Sequence, residues 1–285
     1  MSLANPELDA VLSRVSSLPT PAKVYEQVTA MLADPKTAAK DVAEVVSADQ
    51  SITARLLKMV NSPFYGFAEQ VTTVSRAITI IGFEALRNLI LASSLMELFT
   101  GGSHRPMFSL ETLWAHSLAT GVAARAIAKR TGHAADGEEY LVAGLMHDVG
   151  KAVLLQYFPE KVDAILQRVL AQGCLFSEAE RVVLGSDHTV IGAAVAEQWR
   201  LPAVLRDSIA CHHTPLQAED PLRASTIHLA DILARALLFG SGGDQTMPSL
   251  DRAGYDLLHL NDEKLQQIMA EVNRGLTKEN LAILA

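Results

Sequence analysis

Five histidines and two aspartates of this 285-residue chain stand where apolar helix faces are expected, and their types are those of metal ligands. They are His116, His147, Asp148, His188, His212, His213 and Asp231. The run His188, Ile191, Gly192, Val195, Ala196, Trp199 keeps the spacing of one buried helical stripe, with a histidine as its first member. Leu113, His116, Thr120, Ala123, Ile127 make a second stripe and Leu205, Ser208, Ile209, His212 a third, while Asp231 lies between Ile227 and Ala234, Leu238 on a fourth. An ionised carboxylate left alone on such a stripe is costly, so it needs cations, donors or a metal.

Imidazole nitrogen suits Zn or Fe and carboxylate oxygen widens the choice toward Mn, so divalent metal ions are the expected cofactor. One grouping puts His116, His147, Asp148 and Asp231 around a first ion and His188, His212 and His213 around a second, with Asp148 bridging. Two such ions would activate a hydroxide and stabilise the attacking and leaving oxygens of a phosphodiester. The competing reading is a buried polar network, with histidines bonded to backbone carbonyls and aspartates paired to them. For the set as a whole metal is favoured, because the network alone would bury excess acceptors and negative charge.

Lys151 follows His147 by four residues. On a continuing helix the two share a face, and the ammonium could reach a phosphate held at the ions; the alternative is a surface lysine paired with an acid. Lys151 and Asp148 are therefore the candidate catalytic residues. His228, three residues before Asp231, is either a supporting donor to the site or a boundary residue. His104, His133 and His259 fall in loops or at helix edges and receive no role. Asn61, Ser62, Tyr65 and Gly66 are read as a turn that docks the N-terminal helices, in preference to a partner-binding site.

The elements that must position these residues read as helices throughout, an all-α chain with short Pro, Gly and Asp punctuation. Leu18-Pro19-Thr20-Pro21 opens the first strong helix, which Asp34-Pro35 closes. Further helices are predicted over 37–48, 51–60, 72–81 with a stop at Gly82, and 83–99. In the second half they run at about 111–130, 137–158, 159–171, 177–184, 188–200, 202–212, 222–239 and 262–274. Gly240 to Gly243 reads as a flexible break. The expected organisation is an N-terminal half over 1–107, a site-bearing half over 108–240 and a helical tail over 241–285.

A net charge of −8 argues against a phosphate-tracking surface, so nucleic acid is not an expected partner. Arg125, Lys129 and Arg130 read as the solvated face of a helix. The best apolar run, Leu89 to Leu98, is short and edged by Asn88 and Glu97, so no membrane span is expected. The N-terminus lacks a basic start and hydrophobic stretch, which makes the cytoplasm the expected location. Cys174 and Cys211 read as plain buried residues.

Ala143-Gly144-Leu145-Met146-His147-Asp148-Val149-Gly150-Lys151 resembles the signature of the HD superfamily of metal-dependent phosphohydrolases. The order around it sharpens the likeness: His116 upstream, then His188, the pair His212-His213, and Asp231. Ser47 to Leu57, Asn61-Ser62-Pro63-Phe64-Tyr65-Gly66 and Ala77 to Gly82 resemble the HDOD family, as do Leu18-Pro19 and Trp199-Arg200-Leu201-Pro202. The resemblance covers roughly residues 15 to 215 and extends to about 240 with the HD-like helices. It implies a multi-helix HD-like bundle with an N-terminal helical subdomain. It also implies a bacterial signalling and regulatory module, acting on a signalling protein partner or a small phosphorylated ligand. The chain departs from the cyclic-dinucleotide phosphodiesterase branch, in which Gly-Tyr-Pro follows the His pair; here Thr214-Pro215-Leu216-Gln217 follows it. Thr112 replaces the glutamate that some members place four residues before the first histidine.

Overall fold

A computed structural model of the chain describes residues 6–18, 23–62, 65, 67, 69–95 and 108–276, and among them there are helices and turns but no strand. The chain is all-α, as its periodicity requires. It divides into two units, Met1–Pro19 with Leu98–Val272, and Thr20–Glu97 with Asn273–Ala285. This differs from the sequence partition at both ends: the first helix joins the site-bearing half, and so does residue 241 onward as far as Val272.

The smaller unit carries α2 (Lys23–Leu32), α3 (Ala39–Ser47), α4 (Gln50–Val60) and α5 (Val74–Leu95). Val28, Val42, Val46, Leu56 and Leu86 are buried among its helices. Asp49 caps α4 by accepting the Ile52 amide at 3.0 Å. α5 breaks at Gly82, whose φ of 81° and ψ of 173° suit a residue without Cβ, where the sequence placed a stop. The Asn61 side chain bonds the Leu57 carbonyl and both backbone groups of Val71, so it staples the loop between α4 and α5. Gly66 lies outside the described residues.

Contrary to the expectation of no apolar span, Val74–Ser94 is long and apolar enough to cross a bilayer by length and composition. The kink at Gly82 and the burial of 61% of the stretch are those of a core helix.

The larger unit begins with α1 (Pro6–Val15), a helix the sequence reading missed, packed on α8, α10 and α11 below. α6 (Leu110–Arg130) starts at a capping box in which Ser109 and Thr112 satisfy each other's amides. α7 (Gly137–Met146) and α8 (Val149–Tyr157) replace the single helix expected over 137–158. Both are buried on almost every side, so no amphipathic stripe marks the turn at His147-Asp148 that separates them.

α9 (Pro159–Gln172) starts at a proline and ends at the left-handed Gly173. α10 (Phe176–Leu184), α11 (His188–Gln198), α12 (Ala203–Cys211), α13 (Pro221–Ala236), α14 (Arg252–Leu257) and α15 (Asp262–Gly275) follow. The main packing pairs are α6 with α7 and α13, and α11 with α8 and α12. Arg125 and Arg130 are not a solvated face: they pair with Glu138 and Glu271, each at 2.7 Å. Cys174 and Cys211 are half-buried rather than buried.

Candidate metal centre

Each stripe delivers its polar member inward. His116 comes from the middle of α6, His147 and Asp148 from the α7–α8 turn, His188 from the first position of α11, His212 and His213 from the end of α12, and Asp231 from α13. Gly150 lets α8 approach the start of α11 so closely that a Cβ there would stand 2.1 Å from the His188 carbonyl oxygen. Six of the seven are buried; His213 is half-buried.

The seven side chains meet around the Asp148 carboxylate in two nests. On one side of it, Asp148 Oδ2 lies 3.3 Å from His147 Nε2 and 3.7 Å from His116 Nε2. Asp231 Oδ1 completes that nest at 2.9 Å from His116 and 3.7 Å from His147. On the other side, Asp148 Oδ1 lies 3.1 Å from His188 Nε2 and 3.8 Å from His212 Nε2. His188 Nε2 is 3.4 Å from that of His212 and 3.1 Å from that of His213. Ligands about 2.1 Å from a tetrahedral centre stand about 3.4 Å apart, so these separations fit an ion.

Hydrogen bonding on the far side of the rings sets their orientation. His147 Nδ1 donates to the Gly144 carbonyl at 2.7 Å and His212 Nδ1 to that of Ile209 at 2.9 Å, which leaves each Nε2 facing the nest. His188 Nδ1 donates to Glu180 at 2.6 Å, and the same carboxylate accepts the His188 amide. His116 Nε2, His147 Nε2 and Asp148 Oδ1 are buried with no hydrogen-bond partner. Buried acceptors without donors are rare in proteins, and they are what metal ligands look like before their ion is counted. The donor set therefore fits a divalent ion.

Two cations lie inside the same pocket. Lys151 Nζ donates to Asp148 Oδ2 at 2.9 Å and to the Gly242 carbonyl at 3.0 Å. It is buried and pairs with an acid three residues away, because the break at His147-Asp148 removes the continuous face it was expected to share with His147. Arg235 Nε donates to Asp231 at 2.8 Å, and its terminal nitrogen bonds Asp244.

Burial pushes the His147 and His188 imidazoles down, but Asp148 beside the first and Glu180 beside the second outweigh it and raise each to about 9. Burial prevails at His116, and burial with neighbouring imidazoles holds His212 and His213 well below the usual range. Burial works against ionised Asp148 and Asp231. His147 and Lys151 beside the first, and Arg235 beside the second, nevertheless hold both carboxyls well below their ordinary value.

Glu180, Arg235 and Asp244 were missed by the sequence reading. Glu180 was detectable, since Phe176, Glu180 and Leu184 form one buried stripe with a carboxylate in it. Arg235 follows Asp231 by one helical turn, a pairing distance. Gly240 to Gly243 is not a flexible break but a strap tied down along its length. Ser241 donates to the Thr112 carbonyl, Gly242 accepts from Lys151, and Asp244 accepts the Phe176 amide at 2.6 Å. Gly240 has φ 67°, and a Cβ there would stand 2.3 Å from the His116 amide nitrogen, so only glycine lets the strap pass over α6.

Among the remaining histidines, His228 donates to the His212 carbonyl at 2.8 Å and accepts the Asp251 amide at 3.0 Å, so it braces the loop carrying the His pair. His133 is half-buried, His259 is exposed, and His104 lies outside the described residues. Leu238, expected on the inner stripe of α13, is 86% exposed because the helix has already ended at Ala236.

A family profile of the HDOD domain matches residues 18–215. The chain belongs to the HDOD family. An HDOD domain protein of unknown function from Geobacter sulfurreducens has a similar structure, with TM-score 0.78 and 27% identity, over 96% of each chain. A candidate phosphohydrolase from Shewanella amazonensis SB2B shares the fold, with TM-score 0.73 and 24% identity, over 97% of this chain and 98% of that one. An uncharacterized protein of Treponema pallidum (strain Nichols) is 26% identical over 235 residues, 80% of this chain. This HDOD chain spans 44% of that relative's length.

Proposed function

We propose that this HDOD chain is a metal-binding signal-transduction module whose pocket holds a divalent ion, and that it works by binding a signalling protein or a small phosphorylated ligand. The observation that carries the metal part is that His116 Nε2, His147 Nε2 and Asp148 Oδ1 are buried without a hydrogen-bond partner, among groups of His and Asp ligand atoms that lie within 4.8 Å of one another. Binding rather than turnover is supported by the state of the pocket's cations. Lys151 and Arg235 are both engaged by carboxylates and by the strap, so neither ammonium nor guanidinium faces a vacant phosphate position. A ligand or partner that drew on the strap would have to prefer one arrangement of it over another to act as a signal.

A second reading is hydrolysis of a phosphodiester, favoured by the placement of Lys151 within the ligand cluster. A bound divalent ion would supply a hydroxide near neutral pH and polarise a phosphoryl oxygen. Lys151 would then hold the anion, and Asp148 would orient the surrounding imidazoles.

Elemental analysis of protein purified without added metal, its affinity tag removed, tests the first reading; a metal-free, fully folded protein that takes up no ion on dialysis rejects it. A phosphodiester screen with Mn, Fe, Zn and Mg tests the second. No turnover with any of the four, or turnover that survives Asp148→Ala, rejects hydrolysis.

A further inference from the structure

The strap Gly240-Ser241-Gly242-Gly243-Asp244 has no apolar side chain of its own to bury. Its anchors are polar: the Ser241 amide on the Thr112 carbonyl, the Gly242 carbonyl on Lys151, and the Asp244 carboxylate at its end. A segment held in this way opens at a lower free energy than the packed helices beneath it. Gly240 and Gln245, where it emerges on either side, are exposed, so its release would change what the protein presents to solvent.

The Asp244 anchor has the surroundings of a bound anion. Its Oδ1 accepts the Phe176 amide in the first turn of α10 at 2.6 Å, and its Oδ2 pairs with the Arg235 guanidinium. The Lys151 ammonium stands 4.0 Å from the same Oδ2. The side chains of Lys151, Asp244 and Arg235 are only 1%, 6% and 9% exposed. Two buried cations and a helix N-terminus favour negative charge at this point whatever group supplies it. The carboxylate fills the position incompletely, because its two oxygens meet the amide and the guanidinium while Lys151 stops short. A phosphoryl group has three terminal oxygens and more negative charge, enough to meet all three donors.

Resting on the ligand-binding reading above, we propose that Asp244 is an internal stand-in for the phosphoryl group of a small ligand, and that the strap is an autoinhibitory contact. The carboxylate keeps the position between Arg235, Lys151 and the Phe176 amide filled until a phosphoryl group displaces it. Displacement frees the end of the strap and turns occupancy of a buried position into a change at the surface.

Titration calorimetry with inorganic phosphate tests the exchange, on the unaltered protein and on Asp244→Asn of equal metal content. The substitution keeps the shape, removes the competing charge and leaves Arg235 its bond to Asp231. It is expected to tighten phosphate binding by about tenfold or more, the difference between a charged and a neutral competitor. Binding that is equal or weaker in the variant overturns the proposal and leaves the ligand-binding reading intact, whereas no binding by either protein also removes the phosphorylated ligand from that reading. Metal content counted on the same samples decides the metal reading separately. Should Asp244→Asn not fold, Gly243→Ala keeps every charge and strains the closed strap, since φ there is 91° and the added Cβ would stand 2.6 Å from the Phe176 ring. Phosphate binding should tighten there too, and unchanged affinity overturns the proposal. In the unaltered protein phosphate should speed hydrogen exchange at the Ser241 and Gly243 amides, both bonded in the closed strap. Phosphate that binds without this change sits elsewhere and overturns the proposal. Acetate at equal ionic strength should leave exchange slow, and an equal response to it overturns the choice of a phosphoryl ligand.

Discussion

Around Leu56, Leu86 and Leu91 the smaller unit buries mostly aliphatic carbon, with Asn88, Ser62, Ser93 and Ser94 as the buried polar residues among those described. The larger unit instead closes its helices around five imidazoles, four carboxylates, an ammonium and a guanidinium. Apolar burial is self-sufficient, since every buried group there prefers its neighbours to water. A charged interior is stable only while each charge keeps its partner, and removing one member strands the rest. The difference teaches that the second interior depends on its charge pairing where the first does not, and each region should respond differently to mutation, metal and pH.

The largest contrast is expected from Asp148→Ala. The change removes the carboxylate shared by both nests and leaves Lys151 buried without its counter-charge. It should cost about 3–5 kcal/mol in denaturant unfolding and abolish metal retention. Leu86→Ala in the smaller unit should cost a comparable about 2–5 kcal/mol through its cavity, yet leave metal content unchanged. If Leu86→Ala empties the site, the two regions are not energetically separate.

A smaller effect is expected from Glu180→Gln, which keeps the shape but weakens the brace on His188. Metal affinity, measured by competition with a chromophoric chelator, should fall about 10–100-fold, while Gln167→Glu at an exposed position of α9 should leave it within a factor of about 3, the ordinary scatter of a remote surface change.

The mildest contrast is in pH. In the metal-free protein His147 and His188 are raised from 6.5 to about 9, so their contribution is complete below pH 6.5 and is lost as pH rises through about 9. His116, His212 and His213 are lowered, so stability also falls as pH drops below 6.5, where the unfolded chain takes up protons that the folded chain refuses. Metal-free stability should therefore peak near pH 6.5. With the ion bound the slope above that point should reverse, because ligand imidazoles must be deprotonated to bind. Thermal melts across pH 5–9 with and without metal check both signs, and parallel curves would count against a bound ion at these residues.

Much of this was legible in the sequence because a polar residue on an apolar stripe is a local signal. Leu113, His116, Thr120, Ala123 and Ile127 are all buried on α6 as their spacing required, and so are the stripe residues of α11. The same rule would have found Glu180. It could not find the turn between α7 and α8, since helices buried on all sides carry no stripe to interrupt. Nor could it find the strap. Gly240 to Gly243 has the composition of a loose linker, and its order comes from partners far along the chain, Thr112, Lys151 and Phe176. α1 was missed for a related reason, since its small apolar face is anchored by α8, α10 and α11 rather than by helix neighbours in sequence.

Anomalous X-ray scattering from crystals of the untreated protein, collected above and below the absorption edges of Mn, Fe and Zn, bears most directly on the proposed metal site of the larger unit. The expected result is a strong peak within bonding distance of Asp148 or Asp231 and of at least two of the imidazoles around them. A pocket whose rings keep these positions while showing no peak at any edge, even after soaking with the metal, would contradict it.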